Sequence, residues 1–203
     1  WETRSVFSRE QEFLDALGVS RTTLKSFDTD MPLPKLRKAL ESRLPEEAVQ
    51  ASTVPEARAY IESRRLPVVY LDHFGLLYCR EGFYRNRLII PVFDVNNEYR
   101  TFVSRTIVEN DGLPKYLYPR ACSTSSLLYN LNMLRGNRTI WLVEGVFDVL
   151  ATKDYSVCSF GKHISQRQID LLRLCGVQKV ALLWDHDAWA VTGDLWEKAL
   201  KKL

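Results

Sequence analysis

The amino-acid sequence predicts an α/β protein in which a parallel sheet with flanking helices follows a mixed α+β region and a helical N-terminal segment. Three patterns support this prediction. From Thr139 onward, short apolar runs alternate with helix-like segments, as in the right-handed βαβ units that build a parallel sheet. Residues 76–107 contain apolar runs on both sides of Asn96 and Asn97, which is typical of a β-hairpin. Residues 1–65 instead carry helix-capping signatures ahead of apolar stripes, so we expect short helices there.

The capping signatures define the predicted N-terminal helices. Ser8 and Gln11 form a capping-box pattern, and Thr53 and Glu56 repeat it with Pro55 in the first turn, where a missing N–H costs little. The first two helices are compatible with a helix-turn-helix. Helical hairpins that only pack are far commoner, so we assign no DNA reading to them.

The remaining elements follow in order along the chain. The hairpin strands are expected near 88–92 and 99–103, and a short strand near Leu117 and a helix near 127–134 lie in the otherwise looped region 112–138. The elements predicted after it are strand 139–143, helix 146–153, strand 155–159, helix 166–175, strand 179–184 and helix 194–203. The predicted domains are a helical N-terminal segment 1–55, an α+β subdomain 56–138 and a parallel-sheet domain 139–203.

The composition excludes several classes of protein. The chain has 203 residues, of which 46% are hydrophobic, enough for a substantial core. Its net charge of +3 is too small to indicate nucleic-acid binding by itself. Cys79, Cys122, Cys158 and Cys175 form no C-x-x-C pair, so we expect buried reduced thiols and a cytoplasmic protein. No apolar run is long enough to span a membrane, no signal peptide is evident, and a start at Trp1 is compatible with a fragment.

Two acidic clusters follow two of the predicted parallel strands. The segment 144–148 begins with Glu144, continues through a glycine and ends with Asp148, and Asp185 and Asp187 follow the later strand. The carboxyl ends of the strands are where an open parallel sheet binds its ligands. An isolated Asp-x-Asp is more often a solvated loop, whereas two ordered clusters behind apolar runs indicate a shared site.

The chemistry of these carboxylates predicts a metal site. Asp185 and Asp187 would project from the same face of an extended chain, about 6–7 Å apart. Unpaired carboxylates a few ångströms apart repel by roughly 4 kcal/mol per pair at an effective dielectric constant of about 20, so a buried cluster needs protons or a cation. Oxygen ligands favour Mg²⁺ or Mn²⁺ over zinc. The predicted catalytic and metal-binding residues are Glu144, Asp148, Asp185 and Asp187.

The two clusters resemble the toprim domain, which has a Glu-Gly-x-x-Asp-type turn after one strand and an Asp-x-Asp after a later one. Toprim domains occur in several classes of protein, and the preceding segments select among them. The segments 57–66, 74–78 and 84–94 resemble, in order and spacing, the start of the RNA-polymerase core of bacterial and phage-type DNA primases. The segments 102–105, 114–119 and 128–131 resemble later motifs of that family, so the resemblance covers about residues 57–190.

This resemblance implies a DNA-directed RNA polymerase of the primase type, with a toprim-type parallel sheet, that makes short RNA primers on single-stranded DNA by nucleotidyl transfer with Mg²⁺ or Mn²⁺. The implied substrate-binding residues are Arg87, Arg105 and Lys115 for phosphates and Tyr116 for a base. Arg offers bidentate contacts to phosphate and Lys a point charge, which suits a triphosphate and a template backbone. The implied partners are single-stranded DNA, ribonucleoside triphosphates, and a replicative helicase or a template-reading zinc domain.

The chain departs from the family pattern at three places. Residues 123–126 lack a basic residue that the family carries nearby, Trp189 stands where the family has glycine, and the chain ends before a later acidic motif. Two other functions stay open at this point. One is phosphodiester cleavage of the toprim nuclease or topoisomerase type, although we find no nucleophilic tyrosine, and the other is a non-catalytic binding module of a replisome.

Overall fold

The computed structural model describes residues 42–109, 112–119, 122–134, 136–152 and 155–184. Within these ranges the chain forms a five-stranded sheet followed by a three-stranded sheet. The first sheet is antiparallel and the second is parallel, which confirms the predicted fold class. The helices predicted before residue 42 and at 194–203 lie outside the described residues.

The antiparallel sheet has its strands in the order of the chain. They are β1 (Val49–Gln50), β2 (Leu77–Cys79), β3 (Arg87–Phe93), β4 (Tyr99–Thr106) and β5 (Tyr116–Leu117). Strands β3 and β4 form the predicted hairpin, and Asn97 in its turn has a left-handed φ of 63°. The Asp94 carboxylate accepts the backbone N–H groups of Asn96 and Glu98, which closes the turn.

Two helices lie between β1 and β2, namely α1 (Pro55–Ser63) and α2 (Tyr70–His73). Pro55 begins α1 as predicted, but the capping box at Thr53 was wrong. The helix begins at Pro55, so the N-cap residue is Val54, whose side chain has no acceptor; the Thr53 hydroxyl donates to the carbonyl of Gln50. The expectation of helices throughout 1–65 was also wrong at β1, whose two residues pair with β2.

The parallel sheet matches its predicted elements to within two residues. They are β6 (Thr139–Val143), α3 (Val146–Thr152), β7 (Ser156–Cys158), α4 (Gln166–Leu174) and β8 (Lys179–Leu183), with β6 central between β7 and β8. Ser165 and Gln168 form a capping box at α4. The α-helix predicted near 127–134 was wrong, because that segment contains the 3₁₀ turn Leu131–Leu134.

One apolar core joins the two sheets. It contains Ile61 of α1, Leu88 and Val103 of the antiparallel sheet, and Val143 and Phe147 beside the parallel sheet. The two parts therefore hold each other in a fixed relation through shared burial of apolar surface.

The cysteines are free thiols, with Cys79 and Cys158 buried and Cys122 and Cys175 partly buried. Among the residues that the structure describes, no helix combines the length and the apolar character needed to cross a membrane.

Candidate active site

The acidic turn lies at the carboxyl end of the central parallel strand. Strand β6 ends at Val143, Glu144 and Gly145 form the turn, and Asp148 lies in the first turn of α3. The N–H of Gly145 donates to Oδ2 of Asp148 at 2.9 Å. This hydrogen bond folds the Asp148 carboxylate back over the turn, toward the residue that follows the strand.

The backbone at Glu144 is fixed by the neighbouring strand β7. Its carbonyl oxygen accepts the N–H of Gly161 at 3.0 Å and the thiol of Cys158 at 3.0 Å. The sulfur in turn accepts the N–H of Phe160 at 3.1 Å. Burial raises the pKa of the Cys158 thiol well above its ordinary value, so the sulfur keeps the proton that it donates.

Arg105 of β4 is a buried cation that reaches the acidic turn. Its side chain is 5% exposed, and it donates from Nε to the hydroxyl of Tyr60 at 2.5 Å and from Nη1 to that of Tyr116 at 2.6 Å. The guanidinium carbon lies 4.6 Å from the ring centre of Phe147 and 4.9 Å from that of Tyr116. We call Arg105 with the rings of Tyr60, Tyr116 and Phe147 the arginine cage.

Tyr116 connects the arginine cage to the acidic turn. Its hydroxyl lies 3.9 Å from the point where a Cβ on Gly145 would stand, and that point is 3.1 Å from Oδ2 of Asp148. Burial raises the pKa of Tyr116, although Arg105 lowers it in part, so the phenol is neutral at physiological pH. An uncharged donor and acceptor therefore stands between the cation and the carboxylate.

A groove of about 740 Å³ opens beside the arginine cage. Three of the residues that line it are basic, namely Arg64, Arg105 and Lys115, and Glu109 adds one acidic group. Arg64 is exposed at the end of α1, with its guanidinium carbon 6.0 Å from the ring centre of Phe147. The groove thus presents positive charge next to the acidic turn, which suits a ligand with several phosphates.

Arg87 lies beneath the loop that carries Lys115. It is fully buried and donates from Nη2 to the carbonyl of Pro114 at 3.0 Å and from Nη1 to that of Lys115 at 3.5 Å. The N–H of Thr106 also donates to the Lys115 carbonyl, at 3.1 Å. The backbone of Lys115 is therefore fixed while its side chain stays exposed.

Most of the predicted site residues within the described ranges come together. Glu144 and Asp148 share the acidic turn, Arg105 and Tyr116 adjoin it, and Lys115 lines the groove. Asp185 and Asp187 lie outside the described residues.

The sequence interpretation missed three residues beside the site, Tyr60, Arg64 and Phe147. The four-residue spacing of Tyr60 and Arg64 on one helix was a usable signal, because it places both on the same face.

The donor set of the acidic turn suits a hard divalent cation. Glu144 and Asp148 offer carboxylate oxygens, which Mg²⁺ and Mn²⁺ prefer. Among the described residues there is no group of three or more side chains of the kinds that bind metals. The remaining predicted ligands, Asp185 and Asp187, fall just beyond β8.

The site places an acidic turn of the parallel sheet beside a basic groove at the antiparallel sheet, and solved structures share this arrangement of sheets. A solved structure of the DnaG catalytic core superposes with a TM-score of 0.65 at 20% identity, covering 85% of this chain and 68% of that one. A DnaG primase catalytic domain bound to single-stranded DNA superposes with a TM-score of 0.57 at 21% identity, covering 82% of this chain and 65% of that one. The fold is therefore that of a DnaG primase core.

In sequence the chain is similar to bacterial DNA primases. The DNA primase of Synechococcus elongatus is 26% identical, in a match that covers 92% of this chain and 30% of that primase. No protein-family model matches the chain. The predicted resemblance to bacterial DNA primases is confirmed, and the chain spans less than a third of the length of this relative.

Proposed function

We propose that this chain is a primase catalytic core that synthesises short RNA primers on single-stranded DNA. The observation that supports this most strongly is the junction of the acidic turn with the basic groove through Arg105, within a primase-type fold. A nucleotidyl transferase needs both parts, one to hold divalent cations and one to hold phosphates.

The proposed cation site consists of Glu144 and Asp148 together with Asp185 and Asp187, and it would take Mg²⁺ or Mn²⁺. When bound, such ions supply charge neutralisation at the reacting phosphate and orientation of its oxygens. The chain itself contributes the hydrogen bond from Gly145, which holds one oxygen of Asp148 in place. We further propose that residues 139–203 form a toprim domain and residues 56–138 the primase subdomain that precedes it.

The basic residues would bind and orient the nucleotide and the template. In the proposed reaction the 3′-hydroxyl of one ribonucleotide attacks the α-phosphate of the next triphosphate. A new oxygen–phosphorus bond forms, the bond to pyrophosphate breaks, and the hydroxyl proton leaves to solvent. Arg105, Lys115 and Arg64 would hold the phosphates, and Tyr116 would orient a base or sugar at the turn.

We assign Arg87 a different part in this reaction from that of Arg105. Because Arg87 is fully buried and donates to the carbonyls of Pro114 and Lys115, it would act on phosphates through the loop rather than by contact. Lys115 is then the phosphate-binding residue of that loop. Template choice and recruitment would come from a zinc domain or a replicative helicase as partner.

The test is RNA synthesis by the purified chain on a single-stranded template with ribonucleotides and Mg²⁺ or Mn²⁺. We expect short RNA whose sequence is complementary to the template, and at least a ~10²-fold loss in Asp148→Asn, which removes a charged ligand. Cleavage of the DNA without nucleotides would instead support a toprim nuclease. DNA binding with neither activity would support a non-catalytic module.

A further inference from the structure

The arginine cage contains a buried charge whose partners among the described residues are all neutral. Arg105 donates to two tyrosine hydroxyls and stacks on aromatic rings, and no carboxylate of the described residues forms an ion pair with it. Hydroxyls and ring faces offset the desolvation of a buried guanidinium only in part, so an anion beside it would add further stabilisation. Arg105 also lines the groove, so an anion that enters the groove can reach it.

The cage leaves part of the guanidinium available to such an anion. An arginine side chain presents its donors in a rigid planar fork. The Tyr60 hydroxyl accepts a hydrogen bond from Nε, and the Tyr116 hydroxyl accepts one from Nη1. These two hydrogen bonds, to residues of two different elements, set the orientation of the guanidinium plane. A donor held in this way needs no reorganisation when the ligand arrives.

We propose that Tyr60 is a positioning residue that orients Arg105 toward the polyphosphate of a nucleoside triphosphate. This inference rests on the proposed function and adds a residue to it. Tyr60 belongs to α1, Arg105 to β4 and Phe147 to α3, next to Asp148. The arginine cage would therefore position the bound phosphates beside the acidic turn.

The ring of Tyr60 and its hydroxyl have separable roles. The ring packs edge-on against Phe147, with 5.8 Å between ring centres at an interplanar angle of 80°. The hydroxyl accepts the hydrogen bond from Arg105. Tyr60→Phe keeps the packing and removes only the hydrogen bond, so the variant should fold like the parent.

The experiment measures binding of inorganic triphosphate and Mg²⁺ to the full chain by calorimetry. We expect Tyr60→Phe to weaken this binding about fivefold to tenfold, less than the full effect of a hydrogen bond to a charged group, because Tyr116 still holds the guanidinium. Tyr155→Phe is the matched control, because Tyr155 is 61% exposed and packs beside Trp141 on the parallel sheet. Equal binding by Tyr60→Phe and the parent would overturn the proposal.

A double-mutant cycle separates positioning from general loss of structure. Methionine has no donor for the Tyr60 hydroxyl, so Tyr60→Phe should have no further effect on triphosphate binding in an Arg105→Met background. An undiminished further loss there would show that Tyr60 acts by another route. In primer synthesis, Tyr60→Phe should raise KM by the same factor and leave kcat within about twofold.

The binding readout does not depend on catalysis. A parent chain that binds triphosphate in a manner dependent on Tyr60 but makes no RNA would support the arginine cage and contradict only the proposed primase activity. A chain that makes RNA while Tyr60→Phe changes neither binding nor KM would contradict only the arginine cage.

Discussion

Replacing Gly145 with alanine should disturb the acidic turn without unfolding the protein. The added methyl carbon would stand 3.1 Å from Oδ2 of Asp148, closer than ordinary van der Waals contact, so the carboxylate must move by a few tenths of an ångström. That movement stretches the 2.9 Å hydrogen bond from the N–H of residue 145. A hydrogen bond to a charged group contributes about 1.5–3 kcal/mol. Losing part of this energy corresponds to roughly fivefold weaker binding of a divalent cation at the acidic turn.

Primer synthesis should therefore fall about fivefold to tenfold in Gly145→Ala, with a higher Mg²⁺ or Mn²⁺ concentration needed for half-maximal rate. The assay is the initial rate of RNA synthesis as a function of divalent ion concentration, alongside thermal unfolding. Thr139→Ala is the control, because Thr139 is exposed at the other end of the same strand. If Gly145→Ala has the same rates and metal dependence as the parent, the proposed role of the placement of the Asp148 carboxylate is refuted.

Three further predictions address other parts of the site and core. The Asp185→Asn, Asp187→Asn double variant should lose at least ~10²-fold of primer synthesis while retaining its fold, and near-parental synthesis would contradict the metal assignment. Lys115→Ala should reduce by about one the slope of log affinity for single-stranded DNA against log salt concentration. Arg87→Met should reduce this slope similarly, although Arg87 is buried, because Arg87 holds the backbone of Lys115. Slopes equal to that of the parent in salt titrations would contradict both roles. Burial raises the pKa of Cys79 to about 12, so the neutral thiol stabilises the fold fully below its ordinary pKa and this contribution is lost as pH rises toward 12. Denaturant titrations should thus show a smaller loss of stability between about pH 9 and 11 in Cys79→Ala than in the parent.

The elements of the parallel sheet were predictable because their signals are local. The apolar run of β6, the glycine after it and the four-residue spacing of Glu144 and Asp148 are all readable within ten residues of sequence. A buried parallel strand needs a continuous apolar run, and a strand-to-helix turn favours glycine.

The features that sequence interpretation missed depend on distant or competing contacts. Strand β1 exists because it pairs with β2, and its two residues carry no strand pattern of their own. Thr53 has the right spacing for a cap, but the helix begins at Pro55, so the N-cap position falls on Val54 and the Thr53 hydroxyl donates to the carbonyl of Gln50. The hydrogen bond between Tyr60 and Arg105 joins residues 45 apart, so only the packed fold reveals it.

The most direct test of the central claim is the rate of the first phosphodiester bond between two ribonucleotides on a single-stranded DNA template. We expect the parent chain to form the template-directed dinucleotide only with Mg²⁺ or Mn²⁺, and Asp148→Asn to form it at least ~10²-fold more slowly while binding DNA equally well. Undiminished dinucleotide formation by Asp148→Asn would contradict the proposal that the acidic turn carries out nucleotidyl transfer.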